Sequence, residues 1–155
     1  MTNPAPDERQ PAMSPAAKTL YAQLAQALGV AEVPADANGI VHLDVGDDGH
    51  VVVIPEDAYT LMLMAPVGDL PDGADRGTLL WLMRRNFHDS PLAPFRIGCD
   101  KNGTLVVWGR MPIDGLTGEQ LAELIDAVTA EAALIREETA TDENAVDEEE
   151  EEAAA

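Results

Sequence analysis

Apolar residues recur at spacings of three and four through the last third of the chain, with acidic residues between them. This pattern predicts an amphipathic helix that packs by one face against a flat surface. Thr117 and Gln120 have the spacing of a capping box, and Leu116 with Leu121 that of a hydrophobic staple, so the helix start is well defined. The apolar face consists of Leu121, Leu124, Ile125, Val128, Ala132 and Ile135.

A first helix is predicted near the N-terminus. Ser14 followed by Pro15 is typical of an N-cap with proline at the first helical position. An apolar face follows, and Gly29 ends it, so the predicted helix covers residues 15–28.

Five apolar stretches bounded by turn residues predict strands. They are residues 40–45, 50–54, 58–65, 95–99 and 104–110. The turn residues at 46–49 and the Asn102-Gly103 step predict hairpins, and the first three strands read as an antiparallel meander. Residues 66–73 have the composition of a loop.

A central helix is predicted over residues 76–88, between the meander and the second hairpin. Its apolar residues span more than one stripe, which suggests a helix buried on two sides, as at a dimer interface. The element order is therefore α-β-β-β-α-β-β-α, an α+β fold with an antiparallel twisted sheet and helices. Residues 14–136 are the expected domain. Residues 1–13 are expected to be disordered, and residues 137–155 to form an acidic disordered tail.

Several strands are apolar on both faces, which is unusual for a sheet with one face in water. In the third strand, Leu61 and Leu63 point one way while Met62 and Met64 point the other. Either the helices cover both faces, or one face binds another chain. Methionine suits the second interpretation because its flexible side chain adapts to different partners.

The chain of 155 residues has a formal net charge of −20, of which ten acidic residues and no basic residue lie between 137 and 152. The remainder is acidic too, which disfavours nucleic acid and anionic lipid as partners. No signal-peptide pattern or apolar run long enough to span a bilayer is evident, so a cytoplasmic protein is expected. The single cysteine, Cys99, fits a reducing compartment.

No residue pattern points to catalysis, a cofactor or a metal. His88, Asp89 and Ser90 are adjacent in sequence, unlike the separated members of a catalytic triad. His42 and His50 could face each other across the first hairpin, but no third ligand is evident, and a polar cross-strand pair is the favoured interpretation. We therefore expect a protein that is not an enzyme.

The segments Leu61–Gly68 and Leu105–Leu116, with a central helix running from Leu79-Leu80 to Asn86-Phe87, resemble the class I type III secretion chaperones, also called the Tir-chaperone or CesT-like family. The resemblance covers residues 15–136. It implies a small acidic bacterial homodimer in the cytoplasm that binds the N-terminal segment of secreted effectors in extended form and keeps them soluble and export-competent. It also implies the export ATPase or other secretion machinery as candidate partners.

The resemblance implies two sets of site residues. The dimer interface would contain Leu79, Leu80, Met83 and Phe87. The effector-binding residues would be Leu20, Leu24, Met62, Met64, Val106 and Trp108.

Two questions stay open at this stage. The methionine-bearing strand is compatible with a broad-specificity, export-control chaperone as well as a dedicated one. The alternative function is a cytoplasmic regulatory or scaffolding domain of similar fold without secreted clients. The acidic tail is expected to aid solubility. A more specific hypothesis is that it competes electrostatically for basic segments of substrates or of the export machinery.

Overall fold

Three helices and five strands follow one another in the order that the hydrophobic pattern predicts. The computed structural model describes residues 13–87 and 94–153, with side chains up to residue 140. The elements are α1 (Pro15–Leu28), β1 (Val41–Val45), β2 (Gly49–Pro55), β3 (Thr60–Asp69), α2 (Arg76–Arg85), β4 (Arg96–Cys99), β5 (Thr104–Pro112) and α3 (Gly118–Ala153). The predicted α+β class is confirmed. The segment 1–12, predicted to be disordered, lies outside the described residues.

The five strands form one antiparallel sheet in the order β1-β2-β3-β5-β4. The predicted meander and the second hairpin are both present, and β5 is inserted between β3 and β4. Strand β3 therefore lies at the centre of the sheet, paired with β2 on one side and β5 on the other.

Helix α3 packs on one face of the sheet and α1 packs on α3. The predicted apolar face of α3 is buried, except that Leu124 is only half-buried. Below it lie alternate residues of the strands, of which Leu61, Leu63 and Val107 are fully buried. Helix α2 lies beside α3, where Arg85 forms an ion pair with Glu131.

The helix starts follow the local sequence signals. The Ser14 hydroxyl accepts a hydrogen bond from the Ala17 amide at 3.2 Å. At the start of α3 the capping box is complete: the Gln120 amide donates to the Thr117 hydroxyl at 3.1 Å, and the Thr117 amide donates to the Gln120 side-chain oxygen at 3.0 Å. Both arrangements satisfy backbone donors that a helix leaves unpaired at its N-terminus.

Strand β3 is longer than predicted, because it continues through Asp69 where composition indicates a loop. Its pairing with β2 ends at Met64, so the missing N–H of Pro66 interrupts no ladder on that side. A register shift between Pro66 and Gly68 accommodates the turn-forming residues, and pairing with β5 then resumes as far as Thr104. The prediction of a loop starting at residue 66 was wrong.

Helix α2 is shorter than predicted, because it ends at Arg85 rather than at residue 88. The Asn86 side chain bonds both backbone groups of Ile97 on β4, donating to the carbonyl at 2.9 Å and accepting from the amide at 2.6 Å. These two hydrogen bonds to a distant strand divert the chain from the helical path, so the helix ends before Asn86. His88 lies outside the described residues.

Helix α3 is longer than predicted and continues to Ala153, through most of the segment expected to be disordered. Alanine and glutamate, which dominate this segment, have high helix propensity. Thr139 is only 6% exposed and donates to the Ile135 carbonyl, so contact with the domain extends beyond residue 136.

The close contact between α1 and the start of α3 requires glycine at position 118. A Cβ atom added there would lie 2.3 Å from the carbonyl carbon of Gln23. We expect Gly118→Ala to lower the free energy of unfolding by about 1–3 kcal/mol, because the helices must separate. Urea denaturation measures this change. Gly77→Ala is the control, since its Cβ would meet only the exposed Asp75 side chain, at 3.2 Å. Equal effects of the two substitutions would contradict the close-packing argument.

Tyr21 ties α1 to the loop before β1, because its hydroxyl donates to the Gly39 carbonyl at 2.7 Å. Burial of the side chain raises the pKa of Tyr21 above its ordinary value, and the nearby Asp36 carboxylate raises it further by a smaller amount. The neutral phenol is therefore favoured by folding, and its contribution is present below about pH 10 and lost as the pH rises further. We expect Tyr21→Phe to cost about 1 kcal/mol at pH 7.

Urea denaturation of the native protein and of Tyr21→Phe between pH 7 and 11 tests the pH dependence. The difference in unfolding free energy between the native protein and Tyr21→Phe should narrow above pH 10, because only the native protein then loses the Tyr21 contribution. Tyr59→Phe is the control, since Tyr59 is 78% exposed. A constant difference from pH 7 to 11 would show that ionisation of Tyr21 is not linked to folding.

Candidate functional site: the open face of the sheet

The face of the sheet opposite α3 is covered by no helix in the described part of the chain. Strand residues of one parity are buried beneath the helices, while their neighbours of the other parity remain partly accessible. We call this accessible surface the open face. Its apolar residues are Val52, Ile54, Met62, Met64, Val106 and Trp108. The sheet is thus apolar on both faces, as predicted, but the helices among residues 13–87 and 94–153 cover only one of them.

One row of side chains crosses the whole open face. Because the strand registers coincide, the residues of this row are successive partners on neighbouring strands, in the order β1, β2, β3, β5 and β4. They are His42, Val52, Met64, Trp108 and Arg96. The apolar centre of the face therefore has histidine at the β1 end and arginine at the β4 end.

Trp108 lies across β4, where the strand has glycine. A Cβ atom at Gly98 would be 3.2 Å from the indole Nε1 atom, so a larger residue there would force the ring to move. The Arg110 guanidinium lies 5.1 Å from the ring centroid, within the range of a cation–π contact. Arg110 also donates to a Glu56 carboxylate oxygen at 2.6 Å.

The cationic end of the open face contrasts with the overall charge of −20. Arg110 is paired with Glu56, and this interaction raises the pKa of Arg110 further. Arg96 donates to the backbone oxygen of Phe95 at 2.8 Å and has no ion pair among the described residues. A ligand crossing the face would meet positive charge beside Trp108.

At the β1 end, His42 and His50 face each other, as the hairpin pattern indicated. The His42 Nδ1 and His50 Nε2 atoms are 3.3 Å apart, and His50 Nδ1 lies 3.0 Å from an Asp44 carboxylate oxygen. The predicted polar cross-strand pair is therefore present.

A second apolar surface lies on α2 and the residues after it. Leu79 is 43% exposed, Met83 is 70% exposed and Phe87 is 61% exposed, while Leu80 is half-buried. Leu82 points the other way and joins the core. We call the first four residues the α2 surface. All four belong to the predicted dimer interface, and each retains accessible apolar area.

The predicted effector-binding residues divide into two groups. Met62, Met64, Val106 and Trp108 lie together on the open face. Leu20 and Leu24 do not, because they are 3% and 0% exposed and form the stripe by which α1 packs into the core. An apolar helix stripe indicates burial without revealing whether the domain itself covers it.

The open face also contains residues that were not predicted as site residues. Val52 and Ile54 complete its apolar centre, and Arg96 and Arg110 form its cationic end. The uninterrupted apolar run of β2 could have predicted that Val52 and Ile54 lie on a second apolar face. No local pattern marked the arginines, since their position beside Trp108 depends on the register of β5 with β3 and β4.

A groove of about 510 Å³ lies beside α1, between the helix and the segment that leads to β1. Its lining includes Met13, Tyr21, Ala25, Val30 and Val33. Helix α1 therefore borders an accessible groove through residues other than those predicted.

No helix of the described residues is both long and apolar enough to cross a membrane.

The fold is shared with a known group of proteins. The model of the Tir chaperone protein (CesT) family matches residues 19–136 of the chain. Among curated proteins, none shows significant sequence similarity to it.

Solved structures share the fold at low sequence identity. The structure of the Yersinia pestis type III secretion chaperone SycH with a stable fragment of YscM2 has a TM-score of 0.66 and 22% identity, covering 77% of this chain and 98% of that one. For the ExoU–SpcU complex from the type III secretion system of Pseudomonas aeruginosa, the TM-score is 0.65 and the identity 22%, with coverage of 76% and 94%. For the Pseudomonas aeruginosa ExoT–SpcS complex they are 0.59 and 22%, with coverage of 77% and 97%.

Proposed function

The chain belongs to the Tir chaperone protein (CesT) family, and on that premise we propose that it is a cytoplasmic type III secretion chaperone. It binds the N-terminal segment of secreted effectors in extended form and keeps them soluble and competent for export. The observation that carries this proposal is the open face, an apolar sheet surface that no described helix covers. Solved structures of the same fold, including one described as a chaperone–effector complex, support it.

The open face suits an extended, unfolded segment better than a folded partner. Apolar side chains of a client can lie between those of neighbouring strands. Each partly exposed residue that the client covers contributes about 1 kcal/mol to the free energy of binding. Met62 and Met64 adapt their shape to different client side chains. Edge strand β1 bridges to Ala35 at Val41, and beyond that point its outer edge offers backbone groups to which an extended segment can add by hydrogen bonding. Such binding requires no catalytic group and no energy source in the chaperone.

Acidic substitutions on β3 test the role of the open face. We expect Met62→Glu together with Met64→Glu to reduce client binding at least about tenfold, because carboxylates would be buried against apolar client residues. The measurement is capture of proteins from the lysate of the native bacterium, with quantitative mass spectrometry. The native protein should retain secreted proteins through their N-terminal regions.

Ala127→Glu with Ala130→Glu is the matched control, since it adds the same charge at exposed positions on α3. It should retain clients normally, and circular dichroism should show that both double variants are folded. Retention of the same clients by the Met62/Met64 variant would exclude the open face, and capture of non-secreted proteins alone would favour a regulatory domain.

We further propose that the chain forms a homodimer through the α2 surface. Leu79 and Met83 are exposed on α2 and Phe87 is exposed just after it, while Leu82 of the same helix joins the core. A two-fold axis beside α2 would place this surface against its own copy and bury these residues in both subunits.

Charge placed at the dimer interface should separate the subunits. We expect Leu79→Glu together with Met83→Glu to yield monomers, because each interface would bring four carboxylates together in an apolar environment. Light scattering measures the mass of the particle. The Ala127/Ala130 variant should remain dimeric, and a dimer that survives the α2 substitutions would rule out this interface.

A further inference from the structure

The β1–β2 hairpin places two imidazole rings where both can donate to one ion. His42 is paired with Val52 and His50 with Asp44, so the histidines are diagonal neighbours on antiparallel strands and share the open face. Their ring centroids are 5.4 Å apart, and the nearest nitrogens are 3.3 Å apart.

This nitrogen separation matches metal coordination. Two nitrogens bound to a tetrahedral Zn²⁺ ion at about 2.0–2.1 Å are about 3.3–3.4 Å from each other. We propose that His42 Nδ1 and His50 Nε2 bind a divalent transition-metal ion such as Zn²⁺, Ni²⁺ or Cu²⁺. The ion takes the place of the proton that the two rings otherwise share in a hydrogen bond.

Asp44 fixes the tautomer of His50, one of the two ligands. Its carboxylate lies 3.0 Å from His50 Nδ1 and accepts a hydrogen bond from an N–H there, so in the neutral ring the lone pair is on Nε2, the atom that faces His42. A carboxylate on the far nitrogen of a ligating histidine is the usual support of a metal-bound imidazole, because it sets the tautomer and raises the basicity of the ligand.

The site supplies two protein donors and leaves the other positions to water. Among the described residues, no group of three or more His, Cys, Asp or Glu side chains is arranged to hold a metal ion. The site is accessible, since the side chain of His50 is 40% exposed and that of Asp44 is 90% exposed. Imidazole nitrogens select Zn²⁺, Ni²⁺ and Cu²⁺ over Mg²⁺ and Ca²⁺. The net charge of −20 raises the local concentration of cations.

Calorimetric titration of the full-length protein, free of any polyhistidine tag, tests the proposal with ZnCl₂, NiCl₂ and CuCl₂ in turn. We expect one ion per chain, and affinity at least about tenfold lower in both His42→Gln and His50→Gln. Asp44→Asn should retain the stoichiometry but bind more weakly. His88→Gln is the matched control, since His88 is the only other histidine of the chain, and it should bind like the native protein.

Nitrogen NMR of the imidazole rings gives a second readout. Zn²⁺ should shift His42 Nδ1 and His50 Nε2 and leave the signals of His88 unchanged. The absence of saturable binding would overturn the proposal and leave a hydrogen-bonded pair. Binding that both glutamine variants retain, or that is lost only when residues 141–155 are removed, would also overturn it, in the latter case by assigning the ion to the acidic tail.

Discussion

The structure depends on a mismatch between a sheet that is apolar on both faces and helices that, in the described part of the chain, cover only one of them. Strand side chains alternate between faces, so the residues buried beneath α3 are interleaved with those of the open face. Leu61 and Leu63 contribute to folding, while Met62 and Met64, one position along, contribute accessible apolar surface. The stability of the domain and the accessible apolar surface of its sheet thus come from alternate residues of the same strand.

The two ends of the open face differ in chemistry. At the β4 end, Trp108 contacts the Arg110 guanidinium, which provides an aromatic surface with adjacent positive charge. At the β1 end, the imidazoles and Asp44 form a polar network. The open face is therefore chemically asymmetric from β1 to β4.

Features set by short-range interactions were predictable from sequence, and features set by distant partners were not. The capping box at Thr117 and the N-cap at Ser14 act within four residues and located their helices correctly. The continuation of β3 past Pro66 depends on β5, some 40 residues later, and the end of α2 depends on the bond from Asn86 to Ile97. For the same reason, the alternation of β3 predicted that Met62 and Met64 share a face, while the burial of Leu20 and Leu24 depended on where α3 packs.

The insertion of β5 between β3 and β4 has a consequence for how the chain folds during synthesis. When the ribosome has produced the first 70 residues, the meander is complete, but the β5-side edge of β3 has no partner. That edge stays unpaired until residue 112 has emerged, and exposed strand edges promote association between chains. Pairing of β3 with β5 closes a loop of several dozen residues, so it is expected to be slower than formation of the hairpins. A protein proposed to keep other chains from aggregating would itself be most vulnerable to aggregation during that interval.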